Sequence, residues 1–237
     1  MQKDIIVHVG LGRTSTTTLQ NFIFPKLSKI FNYQFVYHHK LSMEKKESKL
    51  TSLIKNHLKR MGLMKKAQKL NLQGNIFISS EMLCSWNPYL YERYAQENFK
   101  AFGKDAHILI TIRDPEEYLN SIYYEKFIRA ASNYKKPERY FINSKDFLNN
   151  KSIIKSQEVF AVDYFSYDNL INAYRKKFNK VTVVKYENIK DMDFVKNIFP
   201  ANNEIINDMK MSYKKIKLEE NKIKIFTFFI MYILFII

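Results

Sequence analysis

A chain of 237 residues suits one domain with a sizeable buried core, and 46% apolar with 26% charged content excludes extensive disorder. A single cysteine, Cys84, excludes an intrachain disulfide and fits a reducing compartment. The 39 basic against 23 acidic residues give a net charge of +16, which favours anionic ligands.

Residues 5–9, IIVHV, are an apolar β-like run, and the first strand is predicted over 4–9. Gly10-Leu11-Gly12 turns the chain into Arg13-Thr14-Ser15-Thr16-Thr17-Thr18, where an amphipathic helix is predicted over 16–30. A strand, a glycine turn and a helix start make an anion cradle. The opening N–H groups of a helix lack intrahelical partners, and its dipole favours negative charge there. Gly10 and Gly12 permit backbone angles and close approach that a side chain blocks. Arg13 and the hydroxyls of Thr14, Ser15, Thr16, Thr17 and Thr18 add donors. The competing reading is an ordinary strand-to-helix connection with a polar cap. Two common phosphate loops do not fit. The pattern G-x-x-x-x-G-K-[ST], laid on Gly10, puts Ser15 at the second glycine and Thr16 at the lysine. No lysine stands between Lys3 and Lys26, so ATP or GTP hydrolysis is disfavoured. The dinucleotide pattern G-x-G-x-x-G also fails at Ser15.

A strand is predicted near 33–37, followed by His38-His39. A helix with a break at Gly62 is predicted over 45–70, where the densest lysine run, Lys45–Lys69, carries Leu50, Leu53, Ile54, Leu58, Met61 and Leu63 at helical spacing. It reads first as a solvated basic face and second as an acceptor or membrane contact. A strand over 75–79 runs into Ser80 and Glu81, and a helix is predicted over 89–101. Cys84 reads as a buried small hydrophobe. Residues 106–112, AHILITI, are typical of a buried parallel strand, predicted over 107–112. Asp114 suits an N-cap, Pro115 the first helical position and Glu116-Glu117 the first turn of a helix over 115–131. Arg113 therefore stands at a strand's carboxyl end with Ser121 about two helical turns on. An arginine fork and a hydroxyl can grip one phosphate from two sides. The alternative is a salt-bridged arginine and an ordinary helix serine. A polar stretch over 133–150, a helix over 163–178, a strand over 181–186 and a helix over 191–199 complete the chain.

This alternation predicts an α/β, single-domain fold with a mainly parallel central sheet flanked by helices. Ligands of such sheets bind beyond the strands' carboxyl ends. Arg13, Glu81 and Arg113 each follow a predicted strand, so one crevice can collect all three.

The segment Gly12–Leu19 resembles the 5′-phosphosulfate loop of sulfotransferases that use 3′-phosphoadenosine 5′-phosphosulfate (PAPS), usually near P-[KR]-[TS]-G-T-[TS]-x-L. Arg13, Thr14, Thr16, Thr17 and Leu19 match, with Gly12 in place of proline and Ser15 in place of glycine. The spacing R-[DN]-P-x-x-x-x-x-S over Arg113–Ser121 resembles that family's 3′-phosphate site. Residues 75–81 resemble the central strand of bacterial members, which often ends in Ser-Glu. Residues 165–178 and 181–187 resemble the family's later helix and last strand, so the likeness covers residue 4 to about 200.

The resemblance implies a P-loop-NTPase-like sulfotransferase domain over 1–222, with a hydrophobic tail at 223–237 outside it. The implied reaction transfers a sulfuryl group from PAPS to a hydroxyl acceptor, a carbohydrate or glycolipid, leaves 3′,5′-adenosine bisphosphate (PAP), and needs no metal. Arg13 would bind the phosphosulfate and stabilise charge on the bridging oxygen. Gly12, Thr14, Ser15, Thr16 and Thr17 would hold the same group, and Arg113 with Ser121 the 3′-phosphate. Glu81 is the candidate base, since a carboxylate at a strand end can be desolvated and its pKa raised; a structural ion pair is its other reading. His38 and His39 are reserve bases, and Tyr186 and Glu187 read as architecture.

Other classes stay in view: a PAPS- or PAP-binding relative without transfer activity, a nucleotide kinase, and a basic nucleic-acid-binding protein. The lysines are spread along the chain and no nucleic-acid-binding signature appears, which argues against the last. The first strand leaves no room for a signal peptide, so a cytoplasmic protein is expected. The last thirteen residues, IFTFFIMYILFII, are uncharged and follow several lysines. As a helix they extend roughly 20 Å, short of the ~30 Å hydrocarbon core. A packed or interfacial segment, a membrane anchor, and a truncated reading frame remain open, and membrane association through 223–237 is the expectation that goes with the second.

Overall fold

The computed structural model describes residues 4–37, 74–84, 88–123, 153–155, 158–160 and 166–236. The strands are β1 (Ile5–His8), β2 (Tyr33–Tyr37), β3 (Asn75–Ser79), β4 (His107–Ile112), β5 (Ile153–Lys155), β6 (Glu158–Phe160) and β7 (Lys180–Lys185). The helices are α1 (residues 16–30), α2 (Tyr91–Phe102), α3 (Pro115–Tyr123), α4 (Tyr167–Arg175) and α5 (Asn203–Ile236). His38, His39, the basic run 45–70 and the polar stretch 133–150 lie outside the described residues.

Five strands pair in the order β2-β3-β1-β4-β7, every pair parallel. The hairpin β5–β6 is antiparallel and was not expected from the sequence. Alternation along each strand sorts the core into two faces, as period-2 geometry requires. Ile5, Val7, Ile76, Ile78, Ile108 and Ile110 pack with α2, α3 and α4. Ile6, Phe77, Leu109 and Val184 pack with α1 and α5 on the other face. The sheet is thus covered on both sides, and its α/β class follows the expectation. Cys84 is buried in the first of these cores.

Three elements differ from their predicted form. α1 is α-helical over Thr16–Thr18, π-helical over Leu19–Ile23 and α-helical again over Phe24–Ile30. Pro25 supplies no N–H to Asn21 and its ring crowds that carbonyl, so the preceding turn widens and the Phe24 N–H bonds Leu19 O. The helix expected at 191–199 is two 3₁₀ stretches, Tyr186–Asp191 and Asp193–Asn197, divided by Met192 at φ 54°. Ile189, Met192 and Val195 are all buried, and their i, i+3 spacing suits the three-residue turn of a 3₁₀ helix. The sequence reading assigned no element between 200 and 222, where α5 begins and then runs unbroken through the apolar tail. Ile206, Met209 and Tyr213 seat α5 against the sheet. Lys26 ties α1 to it through Asp208 at 2.8 Å and Ser212 at 2.9 Å. Among the described residues, no helix is long and apolar enough to cross a membrane.

The connections place one crevice. From β1 the chain leaves toward β3 and β2, whereas from β4 it leaves toward β7. The carboxyl ends of β1 and β4 therefore border a topological switch point, where open parallel sheets bind ligands.

Candidate functional site

The loop after β1 crosses tightly over the sheet end. A Cβ on Gly10 would lie 2.4 Å from Thr111 Oγ1 and 2.6 Å from His8 Nε2, so only glycine fits there. Arg13 and Ser15 take left-handed angles, φ 70° and 63°. Ser15 passes straight into the right-handed Thr16, a left-to-right reversal that turns neighbouring N–H groups to one side as an anion-binding nest. The first closed turn of α1 is Leu19 N–H to Ser15 O at 3.0 Å, so the N–H groups before it open toward the loop. Ser15 Oγ is buried with no hydrogen-bond partner. Gly12 is buried, and Arg13 and Thr17 face solvent. Thr14 turns inward: its hydroxyl donates to Leu11 O at 2.6 Å and lies 2.7 Å from Thr111 Oγ1. It can offer a ligand its backbone but not its hydroxyl.

Ser15 occupies the position where the resemblance expects glycine, and it has the angles glycine prefers. A left-handed non-glycine residue costs about 1–2 kcal/mol, partly offset by the greater freedom glycine gives the unfolded chain. Ser15→Gly is therefore expected to stabilise the protein by about 0.5–1 kcal/mol, read as a higher urea midpoint with an unchanged m-value. A lower midpoint would mean that the buried hydroxyl has a native role.

Glu81 opens the 3₁₀ turn Glu81–Leu83 just past β3. This turn is pinned from beneath, where Asn98 Nδ2 and Tyr174 Oη each donate to Leu83 O at 2.8 Å. Asn98 also donates to Tyr174 Oη at 2.8 Å, so α2, α4 and the exit of β3 form one buried polar knot. So held, the Glu81 carboxylate accepts a hydrogen bond from the Thr16 hydroxyl. The candidate base and the first helical residue of the cradle are direct neighbours.

Arg113 follows β4. Its Nε and Nη2 donate to Glu117 Oε2 at 3.0 and 2.8 Å, and its guanidinium lies 4.7 Å from the ring centre of Tyr186. Asp114 caps α3 as expected, accepting from Glu117 N at 3.1 Å. The Arg113 and Asp114 N–H groups donate to Tyr167 Oη at 3.3 Å and Glu187 Oε1 at 3.2 Å. Burial, reinforced by Glu187 and Asp114, pushes the Tyr167 hydroxyl pKa well up, so it stays protonated. Ile112, Arg113, Asp114, Pro115, Tyr167, Lys185 and Glu187 line a cavity of about 500 Å³.

The two sequence motifs meet. Arg13 Nε donates to Ser121 Oγ at 2.9 Å, although the residues are 108 positions apart. Arg113 is held differently from the expected grip, since its guanidinium engages Glu117 and Tyr186 while Ser121 engages Arg13. Sequence reasoning passed over Glu117 as a partner of Arg113, although the i, i+4 spacing carries that signal. Tyr186 and Glu187, read as architecture, do hold the Arg113 turn. A second cavity, about 550 Å³, lies between α2 and α4 against Tyr89, Glu92, Asn169, Asn172 and Lys176. It takes no lining residue from the three loops, and two of its lining residues, Lys176 and Glu92, form an ion pair at 2.8 Å. The smaller cavity takes its lining from the carboxyl ends of β4 and β7 and from Tyr167 of α4, with Arg113 the sequence-predicted site residue in it.

Compared with models of known protein families and with curated proteins, the chain matches none.

Proposed function

We propose that this chain is a PAPS-dependent sulfotransferase with a P-loop-like sulfotransferase fold, acting on a hydroxyl of a carbohydrate or glycolipid. One observation carries the reading: the Arg13–Ser121 hydrogen bond joins two anion motifs that were recognised separately in the sequence. The left-handed Ser15 and its unpartnered buried hydroxyl add support, because both suit a loop built around an oxyanion. When bound, PAPS supplies an activated sulfuryl group. Arg13, the N–H groups at the start of α1 and the hydroxyls of Ser15 and Thr17 hold its phosphosulfate end. Arg113 and Ser121 hold the 3′-phosphate, with Glu117 giving up the guanidinium as the phosphate arrives. Glu81 accepts the acceptor's proton. Thr16, which already donates to Glu81, orients that carboxylate. In-line transfer depends on positioning and on charge stabilisation, which these groups provide. The reading carries a cytoplasmic location with it, and membrane contact through residues 223–237.

The competing reading is a PAP-binding relative without transfer activity. It is favoured by the carboxylate being held on the cradle itself, and a labelled-sulfate transfer screen across sugars and lipids separates the two. Binding is tested first. At a hundred times its Kd, PAP should raise Tm by about 5–10 °C, with ATP giving no comparable shift. Arg113→Ala should weaken PAP about 10- to 100-fold, the loss of one charged hydrogen-bonding partner, and leave 5′-AMP binding nearly unchanged. Equal stabilisation by PAP and ATP, unaffected by Arg113→Ala, would remove the 3′-phosphate assignment.

A further inference from the structure

The functional reading makes no use of His8. On the α1-facing side of the sheet the last inward residues of β1, β3 and β4 are polar, His8, Ser79 and Thr111, all buried. Their contacts form one chain. Gln20 Nε2 donates to Ser79 Oγ at 3.0 Å, and Ser79 Oγ lies 2.7 Å from His8 Nδ1. His8 Nε2 lies 3.2 Å from Thr111 Oγ1, which lies 2.7 Å from Thr14 Oγ1, and Thr14 donates to Leu11 O at 2.6 Å.

Counting protons fixes the direction of every link. A carbonyl only accepts, so the single Thr14 hydroxyl proton belongs to Leu11 O. Thr111 must then donate to Thr14, which leaves it only as an acceptor toward His8. The proton between His8 and Thr111 is therefore on Nε2. A neutral ring leaves Nδ1 bare, to accept from Ser79, whose oxygen in turn accepts from Gln20. Burial pulls the His8 pKa down to about 3, which keeps the ring neutral. Phe24 packs edge-on against the ring, with ring centres 4.9 Å apart. Gly10 passes directly over the His8–Thr111 pair.

We propose that His8, as the Nε2–H tautomer, is a positioning residue: it sets the shape of the 10–15 loop through Thr111 and Thr14. That this loop binds an anion rests on the proposed function, but its shape does not.

The experiment uses the full chain labelled with ¹⁵N-histidine, with His8 resonances assigned by their absence in His8→Gln. Long-range proton–nitrogen spectra should show a protonated Nε2 and a bare Nδ1, unchanged from pH 8 to 5. An Nδ1–H pattern, or a ring that titrates in that range, overturns the proposal. Thr111→Val keeps the branched shape and cuts the chain, whereas Thr111→Ser restores the hydroxyl. Amides of residues 11–15 should exchange about tenfold faster in the valine variant, the cost of one net hydrogen bond, and near the wild-type rate in the serine variant. Equal exchange in the two variants overturns the proposal. Neither readout needs nucleotide, so failure of the wild type to bind PAP would count only against the sulfotransferase reading.

Discussion

Glu81→Gln is expected to lower sulfuryl transfer by about 10²- to 10⁴-fold, the range of a lost general base, while PAP binds as tightly as before or tighter. The substitution is sharp because of what the carboxylate touches. Its oxygen accepts from the Thr16 hydroxyl, and the glutamine carbonyl can accept the same hydrogen bond, so the cradle keeps its support. The Asn98–Tyr174–Leu83 knot beneath the turn is untouched. Two properties are lost, the negative charge and the basicity. Removing a negative charge beside the proposed anion site relieves repulsion, so bisphosphate affinity should not fall. Arg13→Ala is the control, because it removes a proposed anion ligand and should weaken binding and turnover together. The measurements are kcat for the transfer reaction and the Kd for PAP on the same preparations. Full activity in Glu81→Gln removes Glu81 from the base role. A parallel loss of binding and turnover makes it a brace for Thr16, with the proton taken elsewhere.

The framework of this site was legible because strand signals are local. The runs at 75–79 and 107–112 are continuous apolar segments bounded by polar residues, and β3 and β4 occupy those positions. The Asp114-Pro115 helix start was equally local, with Asp114 capping as its chemistry requires. The pairing of Arg13 with Ser121 is long-range. It was anticipated only as convergence on a crevice, since no sequence spacing encodes a contact across 108 residues. The π-helical turn before Pro25 was missed because a single 3.6-residue period does not register a widened turn. α5 carries a real signal in Ile206, Met209, Tyr213 and Ile216, but the lysines between them and the apolar tail drew the segment's reading toward its end. The polar row was the largest omission. His8, Ser79 and Thr111 each stand at or next to the end of an apolar strand and on the same alternation phase. Three such interruptions in one layer are a signal that the sheet's core gives way to something polar above it.

That buried histidine also predicts the protein's response to acid. His8 is fully buried, and its ring touches the hydroxyls of Ser79 and Thr111 and the edge of Phe24, none of them charged. Burial lowers its pKa from 6.5 to about 3 in the folded chain. Between those values the unfolded chain binds a proton that the folded chain refuses. Stability therefore falls as pH falls from 6.5 toward 3 and is flat with respect to this group outside that window. Each pH unit inside it costs up to about 1.4 kcal/mol, and the whole descent is on the order of 5 kcal/mol. Set against a typical stability of about 5–15 kcal/mol, that is enough to unfold much of a marginal population. His107 is also shifted down, by burial and then by Lys180, and contributes with the same sign. The two are separated by His8→Gln, whose amide can donate to Thr111 but cannot take up a proton. At pH 7 the variant should be less stable than wild type, because it loses the fitted ring and the Ser79 contact. From pH 6.5 to 4 it should lose stability more slowly, so that the two urea midpoints converge. Midpoints measured at pH 7, 6, 5 and 4 give both slopes, and parallel lines would mean that the folded chain already accepts the proton on His8.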